Sequence, residues 1–153
     1  MFSWEKVKTY EVSSLPDFID FVGDFKNLIR TRSIFLLDGP MGVGKTEFVK
    51  QLGNLLGFKN ISSPTFSIHQ HYENPQGEAL EHFDFYRIKN MDELETTGIW
   101  DLFNEHEGYI AVEWPTRIED KHWPMQWDQW KIVMELKSDQ SRKIVIFKRI
   151  REL

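Results

Sequence analysis

The chain of 153 residues contains no cysteine, so disulfide bonds and thiolate metal sites are excluded. It also lacks an apolar run long enough to cross a membrane, and its N-terminus has no charged-then-apolar segment of the kind found in secretion signals. No internal repeat, low-complexity stretch or linker divides the sequence. These absences predict one domain over residues 1–153, located in the cytoplasm and without a membrane partner.

The chain also has fewer basic than acidic residues. The 19 lysines and arginines are outnumbered by 24 aspartates and glutamates, which gives a formal net charge of −5. Such a chain is not built to neutralise a phosphate backbone over its whole surface, so DNA is not expected as a partner. The exception is a basic cluster near the C-terminus, formed by Arg142, Lys143, Lys148, Arg149 and Arg151. This cluster favours a charged edge strand, with a docking strip for RNA or an acidic partner as the alternative.

Hydrophobic residues make up 41% of the chain and charged residues 28%, the balance of a globular protein with a full core. Period-two alternation and short apolar runs predict strands over residues 6–12, 34–37, 65–72, 79–86, 109–112, 130–136 and 143–148. Helical spacing and capping residues predict helices over residues 14–29, 45–56 and 91–97. These elements together predict an α/β fold, in which helices flank a mixed sheet.

Local signals add detail to this fold. Ser14, followed three residues later by Asp17, is the predicted N-cap of the first helix. The predicted buried face of that helix consists of Phe18, Phe21, Val22, Phe25, Leu28 and Ile29. Gly57 is the predicted end of the second helix. The turn sequence N-P-Q-G at residues 74–77 predicts that the strands on either side of it form an antiparallel hairpin.

The strongest chemical signal is the segment G-P-M-G-V-G-K-T at residues 39–46, which follows the apolar run I-F-L-L. It matches the phosphate-loop pattern G-x-x-x-x-G-K-[ST] in the strand–turn–helix context that the pattern requires. Gly39, Gly42 and Gly44 permit positive φ and a close approach of the backbone to a phosphate. We expect Lys45 to reach the β- and γ-phosphates and the Thr46 hydroxyl to bind Mg²⁺.

Two carboxylates are candidates for the metal or the attacking water. Glu113 follows Y-I-A-V at the predicted end of a buried strand, and Asp84 lies in H-F-D-F-Y-R on the face opposite its phenylalanine neighbours. Either residue alone has a surface carboxylate as its default interpretation. The segment S-P-T-F at residues 63–66 adds Thr65, a hydroxyl that could respond to a bound γ-phosphate, although Ser-Pro also marks an ordinary turn.

The four motifs G-P-M-G-V-G-K-T, S-P-T-F, H-F-D-F-Y-R and E-W-P occur in this order between residues 34 and 115. Together they resemble the bacterial TsaE (YjeE) family, whose fold is similar to that of the P-loop NTPases. The resemblance implies a protein that binds ATP and Mg²⁺ and hydrolyses ATP weakly alone. It also implies the partner subunits TsaB and TsaD, which transfer a threonylcarbamoyl group to adenosine 37 of tRNA, so that tRNA is engaged only indirectly.

The resemblance also implies roles for individual residues. The residues expected to hold the nucleotide are Gly39, Met41, Gly42, Val43, Gly44, Lys45, Thr46 and Glu47. The residues expected to take part in catalysis are Lys45, Thr65, Asp84 and Glu113, and those expected to hold the metal are Thr46, Asp84 and Glu113. Trp114 is expected to be positional. Pro40 and Glu47 depart from the residues that are frequent in the family, and neither supplies a backbone donor or a metal ligand that the mechanism needs. Thr116 also departs from them, which affects a peripheral contact and leaves the core of the site unchanged.

Some features have two interpretations. His69, His71 and His82 on the predicted hairpin are expected to be partly exposed rather than to bind zinc, since no carboxylate or cysteine completes the set at a matching spacing. The tryptophan-rich segment at residues 123–130 is expected to be a packed loop, with a partner-binding patch as the alternative. The turn at Ser13 and Ser14 is the expected neighbour of the adenine.

Competing functions remain open at this stage. One alternative is an adaptor that binds ATP without hydrolysing it. Such a protein would carry the same motifs, because a sequence does not reveal a rate of hydrolysis. A small-molecule kinase would require an acceptor pocket and an arginine-bearing lid, and no glycine-flanked, arginine-rich insertion is present. A GTP-dependent switch would require the guanine-reading pattern N-K-x-D, which is absent.

Overall fold

The computed structural model describes residues 2–64 and 67–152, and it contains one seven-stranded sheet with helices on both faces. The strands are β1 (Phe2–Val12), β2 (Ser33–Asp38), β3 (His69–Glu73), β4 (Ala79–Asp84), β5 (Tyr109–Glu113), β6 (Asp128–Leu136) and β7 (Arg142–Arg151). The helices are α1 (Leu15–Lys26), α2 (Lys45–Leu55), α3 (Met91–Glu95) and α4 (Ile99–Leu102), with short 3₁₀ turns at Pro115–Arg117 and Asp120–His122. The α/β prediction is confirmed.

The strand order is β1-β7-β6-β2-β5-β4-β3. The four central strands β6, β2, β5 and β4 run parallel to one another, while β1, β7 and β3 pair antiparallel with their neighbours. The sheet is therefore mixed, as predicted, and the predicted antiparallel hairpin is the β3–β4 pair. Because the central strands are parallel, their carboxyl ends meet at one edge of the sheet, which is where ligands bind in open α/β folds.

Helix α1 begins as its sequence predicts. The Ser14 hydroxyl accepts a hydrogen bond from the Asp17 N–H (3.2 Å), and the Asp17 carboxylate accepts one from the Ser13 N–H (3.1 Å). The side chains that α1 buries against α2 and the sheet are Phe18, Phe21, Val22 and Phe25. Leu28 was expected on this buried face but is exposed, because the helix ends at Lys26 and the chain turns away.

The opposite face of the sheet carries a second core under α3, α4 and the loops that follow β5. Sheet residues Ile34, Leu36, Phe83, Phe85, Ile110 and Val112 contribute to it. Trp123 and Trp127 join this core with only 2% and 4% of their surface exposed, and the Trp127 indole N–H donates to the Phe103 carbonyl oxygen (3.0 Å). The packed-loop interpretation of the tryptophan-rich segment is thus confirmed for these two indoles.

Most element boundaries differ from the predictions by one or more residues, among them those of β3 and α3. The strand expected over residues 65–72 begins at His69, and the preceding described residues, Ser67 and Ile68, form a bend. The helix expected over residues 91–97 ends at Glu95, and Gly98, with φ 78°, turns the chain into the separate helix α4. Gly57 has φ 92° directly after the second helix, as predicted. The predicted switch residue Thr65 lies outside the described residues.

The basic cluster near the C-terminus was predicted to guard an edge strand, and this prediction is wrong. Strand β7 lies between β1 and β6, and the edges of the sheet are β1 and β3. Lys143 is opposite Glu11 on one side and Glu135 on the other. Lys148 lies over the Trp130 ring (4.9 Å), and Arg149 donates to the Gln129 side chain (2.8 Å). The basic side chains do not form one continuous surface, because successive side chains of a strand point to opposite faces of the sheet.

In the part of the chain that the structure describes, no helix combines the length and the apolar character needed to span a bilayer.

Candidate functional site

The candidate site forms where three parallel strands end side by side. Strand β2 leads directly into the glycine-rich loop, and its Leu37 is aligned with Glu113 at the end of β5. Glu113 is aligned in turn with Asp84 at the end of β4. The two carboxylates that the sequence singled out are therefore neighbours, and both lie at the edge of the sheet from which the loop emerges.

The loop residues Gly39, Gly42 and Gly44 have φ values of 156°, 76° and 122°. A Cβ atom at Gly39 would lie 2.6 Å from the Met134 carbonyl oxygen, so the loop passes too close to β6 for any side chain at that position. Gly44 is the N-cap of α2 and offers no side chain to the first-turn N–H groups, which have no partner inside the helix. This helix start is a suitable site for an anion.

Lys45 is held at the mouth of the loop, with only 5% of its surface exposed. Its ammonium donates a hydrogen bond to the Gly39 carbonyl oxygen (2.6 Å) and lies 3.8 Å from the centre of the Trp114 ring. Burial lowers the pKa of Lys45, whereas the charges of Glu113, Asp84 and Asp38 act to raise it. An anion bound at the loop would offset this lowering of the Lys45 pKa, because a nearby negative charge favours the protonated form of the lysine.

Trp114 owes its position to an unusual backbone. It has φ 59° and ψ 54°, in the left-handed region, and is followed by Pro115 at the start of a 3₁₀ turn. A residue other than glycine in this region is strained, and such strain concentrates at functional sites. The conformation directs the indole over Lys45 and against the Tyr86 ring, whose centre lies 5.0 Å away. The positional role expected for Trp114 has this geometric basis.

Thr46, Glu113 and His82 form a hydrogen-bonded chain behind the loop. The Thr46 hydroxyl donates to Glu113 Oε2 (2.9 Å) and Oε1 (3.1 Å), and His82 Nε2 lies 2.7 Å from Glu113 Oε2. His82 is completely buried, so the expectation of a partly exposed histidine is wrong for this residue. The sequence did contain a signal for the position of His82. Residues two apart on a strand share a face, so His82 had to lie on the same face of the strand as Asp84.

Asp84 lies beside this chain of hydrogen bonds. Burial raises the pKa of Asp84, and the Glu113 carboxylate acts in the same direction, while the Tyr86 N–H, which donates to Asp84 Oδ1 (3.0 Å), acts to lower it. A carboxylate whose affinity for protons is increased by burial and by a second carboxylate is suited to a hydrogen bond with a reacting water.

Two cavities meet at the loop. The first, of about 290 Å³, is lined by loop and carboxylate residues that include Lys45, Thr46, Asp84 and Glu113. The second, of about 480 Å³, lies on the other side of Gly42 and Gly44 and is lined by Val12, Ser13, Ser14, Leu15, Phe18, Val43, Glu47 and Arg142. Ser13 and Ser14 were expected near an adenine. Phe18 and Arg142 were not, because their approach depends on how α1 and β7 pack.

The predicted nucleotide-binding residues differ in exposure. Met41 is largely exposed and borders the first cavity, whereas Val43 is buried and its carbonyl oxygen accepts a hydrogen bond from Arg142 Nε (3.2 Å). Glu47 lines both cavities and accepts a hydrogen bond from the Gln51 amide one turn later (2.8 Å). All the predicted loop residues except Gly39 thus line one or both of these cavities.

A metal site made of protein groups alone is not found among residues 2–64 and 67–152, where no group of three or more histidines or acidic residues could hold a metal ion. Mg²⁺ differs from such metals, since it usually keeps several waters and binds one or two carboxylates together with phosphate oxygens. The hydroxyl of Thr46 and the carboxylates of Glu113 and Asp84 fit that donor set.

The two hairpin histidines of β3 are partly exposed, as expected, but their surroundings differ from the prediction. His69 Nε2 and His71 Nδ1 each contact one oxygen of the Glu81 carboxylate on the neighbouring strand. The sequence did not predict this contact of the two histidines with Glu81. The sequence concealed it because the pairing of β3 with β4, rather than chain spacing, brings Glu81 between the two rings.

The sequence is similar to a family of known proteins. A family model described as "Threonylcarbamoyl adenosine biosynthesis protein TsaE" matches residues 12–144. A relative from Aquifex aeolicus named "tRNA threonylcarbamoyladenosine biosynthesis protein TsaE" is 34% identical over 116 residues, which cover 74% of this chain and 80% of that protein. A relative of the same name from Borreliella burgdorferi is 34% identical over 105 residues, covering 69% and 76% of the two chains.

A solved structure agrees in fold. The crystal structure of YdiB from Bacillus subtilis superposes with a TM-score of 0.63 at 23% identity, and the match covers 97% of this chain and 87% of that one. At this identity the superposition shows that the two chains share a fold.

Proposed function

This chain belongs to the TsaE family, whose members take part in tRNA threonylcarbamoyladenosine biosynthesis, and we propose that it is an ATP-binding, Mg²⁺-dependent ATPase of that process. In this proposal it works in the cytoplasm with the subunits TsaB and TsaD. Those subunits transfer the threonylcarbamoyl group to adenosine 37, and the chain meets tRNA only through the complex.

The observation that carries the proposal is the contact between Thr46 and Glu113. The first-turn hydroxyl of a helix that follows a glycine-rich loop donates to a carboxylate at the end of a neighbouring parallel strand, at 2.9 and 3.1 Å. P-loop NTPases hold Mg²⁺ with these two kinds of group, a loop hydroxyl and a strand-end carboxylate. A glycine-rich turn without a ligand does not require a hydrogen bond between the Thr46 hydroxyl and the Glu113 carboxylate.

Each group near the loop then has a definite task. The first-turn N–H groups of α2 and the buried ammonium of Lys45 bind the phosphates. Thr46 and Glu113 hold the cation, and Asp84 assists them and orients the attacking water. Bound Mg²⁺ neutralises charge on the transferred phosphoryl group. Thr65 is proposed to act as the hydroxyl that responds to the γ-phosphate.

The cavity of about 480 Å³ beside the loop supports a nucleotide rather than a simple phosphate as ligand. It combines the apolar walls of Val12 and Phe18 with polar groups of Ser13, Ser14 and Arg142, and it shares Gly42 and Gly44 with the smaller cavity. Nucleotide sites combine an apolar slot for the base with a few polar groups that orient it. We propose that the adenine lies in this cavity.

The test is ATP turnover by the purified chain, alone and with TsaB and TsaD from the same organism. We expect slow turnover alone and faster turnover with the partners. We also expect Lys45→Ala to abolish it and to weaken nucleotide binding on the order of 100-fold, since hydrogen bonds to a charged donor contribute about 1.5–3 kcal/mol each. Lys50→Ala in the same helix is the matched control and should behave like the wild type.

Two results would contradict this function. Tight ATP binding with no turnover under any condition would favour the adaptor alternative, in which Asp84 and Glu113 have no catalytic role. Absence of ATP binding by the wild-type chain would remove the proposal altogether.

A further inference from the structure

We propose that His82 is a positioning residue that fixes the Glu113 carboxylate in the orientation needed to hold Mg²⁺ at Thr46. This inference rests on the proposed function and assigns a role to a residue outside the predicted site. His82 does not line the cavity at the loop. It acts through Glu113, which lies between it and Thr46.

The geometry of Glu113 is the first support. Two donors from different elements converge on one carboxylate oxygen, because Glu113 Oε2 accepts from His82 Nε2 on β4 (2.7 Å) and from the Thr46 hydroxyl on α2 (2.9 Å). Glu113 Oε1 has only the longer contact with Thr46 (3.1 Å). Since each carboxylate oxygen has two lone pairs, Oε1 retains acceptor capacity toward a cation.

The direction of the Thr46 proton is the second support. Because the Thr46 hydroxyl donates to Glu113, both lone pairs of its oxygen remain available to a metal. If the carboxylate rotated, the hydroxyl proton could turn toward the cation instead. His82 opposes that rotation from the side of the carboxylate away from the solvent, as outer partners of metal ligands commonly do.

The burial of His82 is the third support. The side chain has no exposed surface, and its Nδ1 has no hydrogen-bond partner in the part of the chain that the structure describes. With its proton on Nε2, the imidazole donates to Glu113 and leaves no buried N–H without an acceptor, which would cost about 1–3 kcal/mol. An apolar side chain would fill the same space without an unpaired nitrogen, so packing alone does not account for histidine here.

The experiment compares His82→Leu with His82→Gln. Leucine fills most of the space but cannot donate, whereas the glutamine amide reaches toward the position of Nε2 and can. Leu80→Ala is the control, since Leu80 lies two residues earlier on the same strand and face and is equally buried. ADP binding is measured by calorimetry in Mg²⁺ and in EDTA, and thermal unfolding of the ligand-free variants reports any general loss of stability.

We expect Mg²⁺ to increase the affinity of the wild type for ADP. In His82→Leu this increase should be about 10- to 100-fold smaller, which is the range typical when a residue that hydrogen-bonds to a metal ligand is removed. Affinity in EDTA should stay within about twofold, because the loop and Lys45 are untouched. His82→Gln should recover most of the Mg²⁺ effect. Leu80→Ala should lower the unfolding temperature and leave the Mg²⁺ effect intact.

The proposal is overturned if His82→Leu keeps the full Mg²⁺ effect, if it loses affinity equally in Mg²⁺ and EDTA, or if His82→Gln behaves like His82→Leu. Each of these outcomes leaves nucleotide binding by the wild type in place, so the proposed function would survive. A wild-type chain that fails to bind ADP would instead contradict the proposed function itself.

Discussion

The ammonium of Lys45 lies 3.8 Å from the centre of the Trp114 ring, although Lys45 begins α2 and Trp114 follows β5, which are distant along the chain. Trp114 reaches this position through a left-handed backbone conformation that only glycine adopts easily. A cation–π contact that is shielded from water contributes about 2 kcal/mol. The indole therefore holds Lys45, the lysine proposed to bind phosphate, in place before any ligand binds.

Replacement of this indole should weaken nucleotide binding. Trp114→Leu is expected to reduce ADP affinity by about 10-fold, since loss of the cation–π contact leaves the buried ammonium without its aromatic partner. Trp114→Phe should retain part of the affinity. Calorimetric titration with ADP measures both. Trp4→Leu is the matched control, because its ring also lies under a lysine (Lys131, 4.3 Å) but far from the loop, and unchanged affinity in Trp114→Leu would refute the idea.

Asp84 should matter for turnover more than for binding. We expect Asp84→Asn to slow ATP hydrolysis on the order of 100-fold, the lower end of what an acid–base or water-orienting group contributes. Nucleotide affinity should change less than turnover, because the loss of a group that assists the cation is offset by the removal of one negative charge near the phosphates. Steady-state turnover and ADP titration separate the two effects. Asp92→Asn in the first turn of α3 is the control, and hydrolysis at the wild-type rate in Asp84→Asn would exclude this role.

Gly39 should not tolerate a side chain. Gly39→Ala places a Cβ atom 2.6 Å from the Met134 carbonyl oxygen at φ 156°, so the loop or β6 must shift at a cost of about 1–3 kcal/mol in the free energy of unfolding. Urea unfolding measures the loss. Gly23→Ala in α1 meets no atom within 4 Å and has an ordinary φ, so it should be neutral or stabilising by up to about 1 kcal/mol. Equal effects of the two changes would contradict the steric argument.

The hairpin cluster of His69, His71 and Glu81 should make stability depend on pH. Hydrogen bonds with Glu81 and Glu73 raise the pKa of His71 above its ordinary 6.5. Burial acts to raise the pKa of Glu81, but hydrogen bonds with His69 and His71 outweigh it and lower the pKa below its ordinary 4.5. The contribution of His71 is thus complete below pH 6.5 and is lost as the pH rises through its folded-state pKa, while that of Glu81 is lost as the pH falls below 4.5.

The stabilisation from this cluster is therefore largest between the two ordinary values. We expect Glu81→Gln to lower the free energy of unfolding most between these two values and least once the pH exceeds the raised pKa of His71, by about 1 kcal/mol or less, because the His71 side chain is 46% exposed and solvent screens the pair. Urea titrations at several pH values measure the difference. Glu73→Gln, whose side chain is more exposed, should have the smaller effect, and a pH-independent loss in Glu81→Gln would argue against the ion pair.

Much of the fold could be predicted because its signals are local. The cap at Ser14, the buried face of α1 and the strand before the loop follow from residues within one or two turns of each other. The ends of elements were harder to predict, as at Leu28, since packing decides where a helix stops. The role of β7 as an inner strand could not be read at all, because strand order depends on pairing between distant segments.

By itself, the sequence determined the glycine-rich loop that is proposed to bind phosphate, since the glycines, the lysine and the helix start all lie within one short segment. It also supplied Asp84 and Glu113 as strand-end carboxylates. Only the tertiary structure decided that Thr46, Glu113 and His82 share one set of hydrogen bonds, and that Trp114 covers Lys45. These contacts join segments that are remote along the chain, and the parallel register of β2, β5 and β4 brings their ends together.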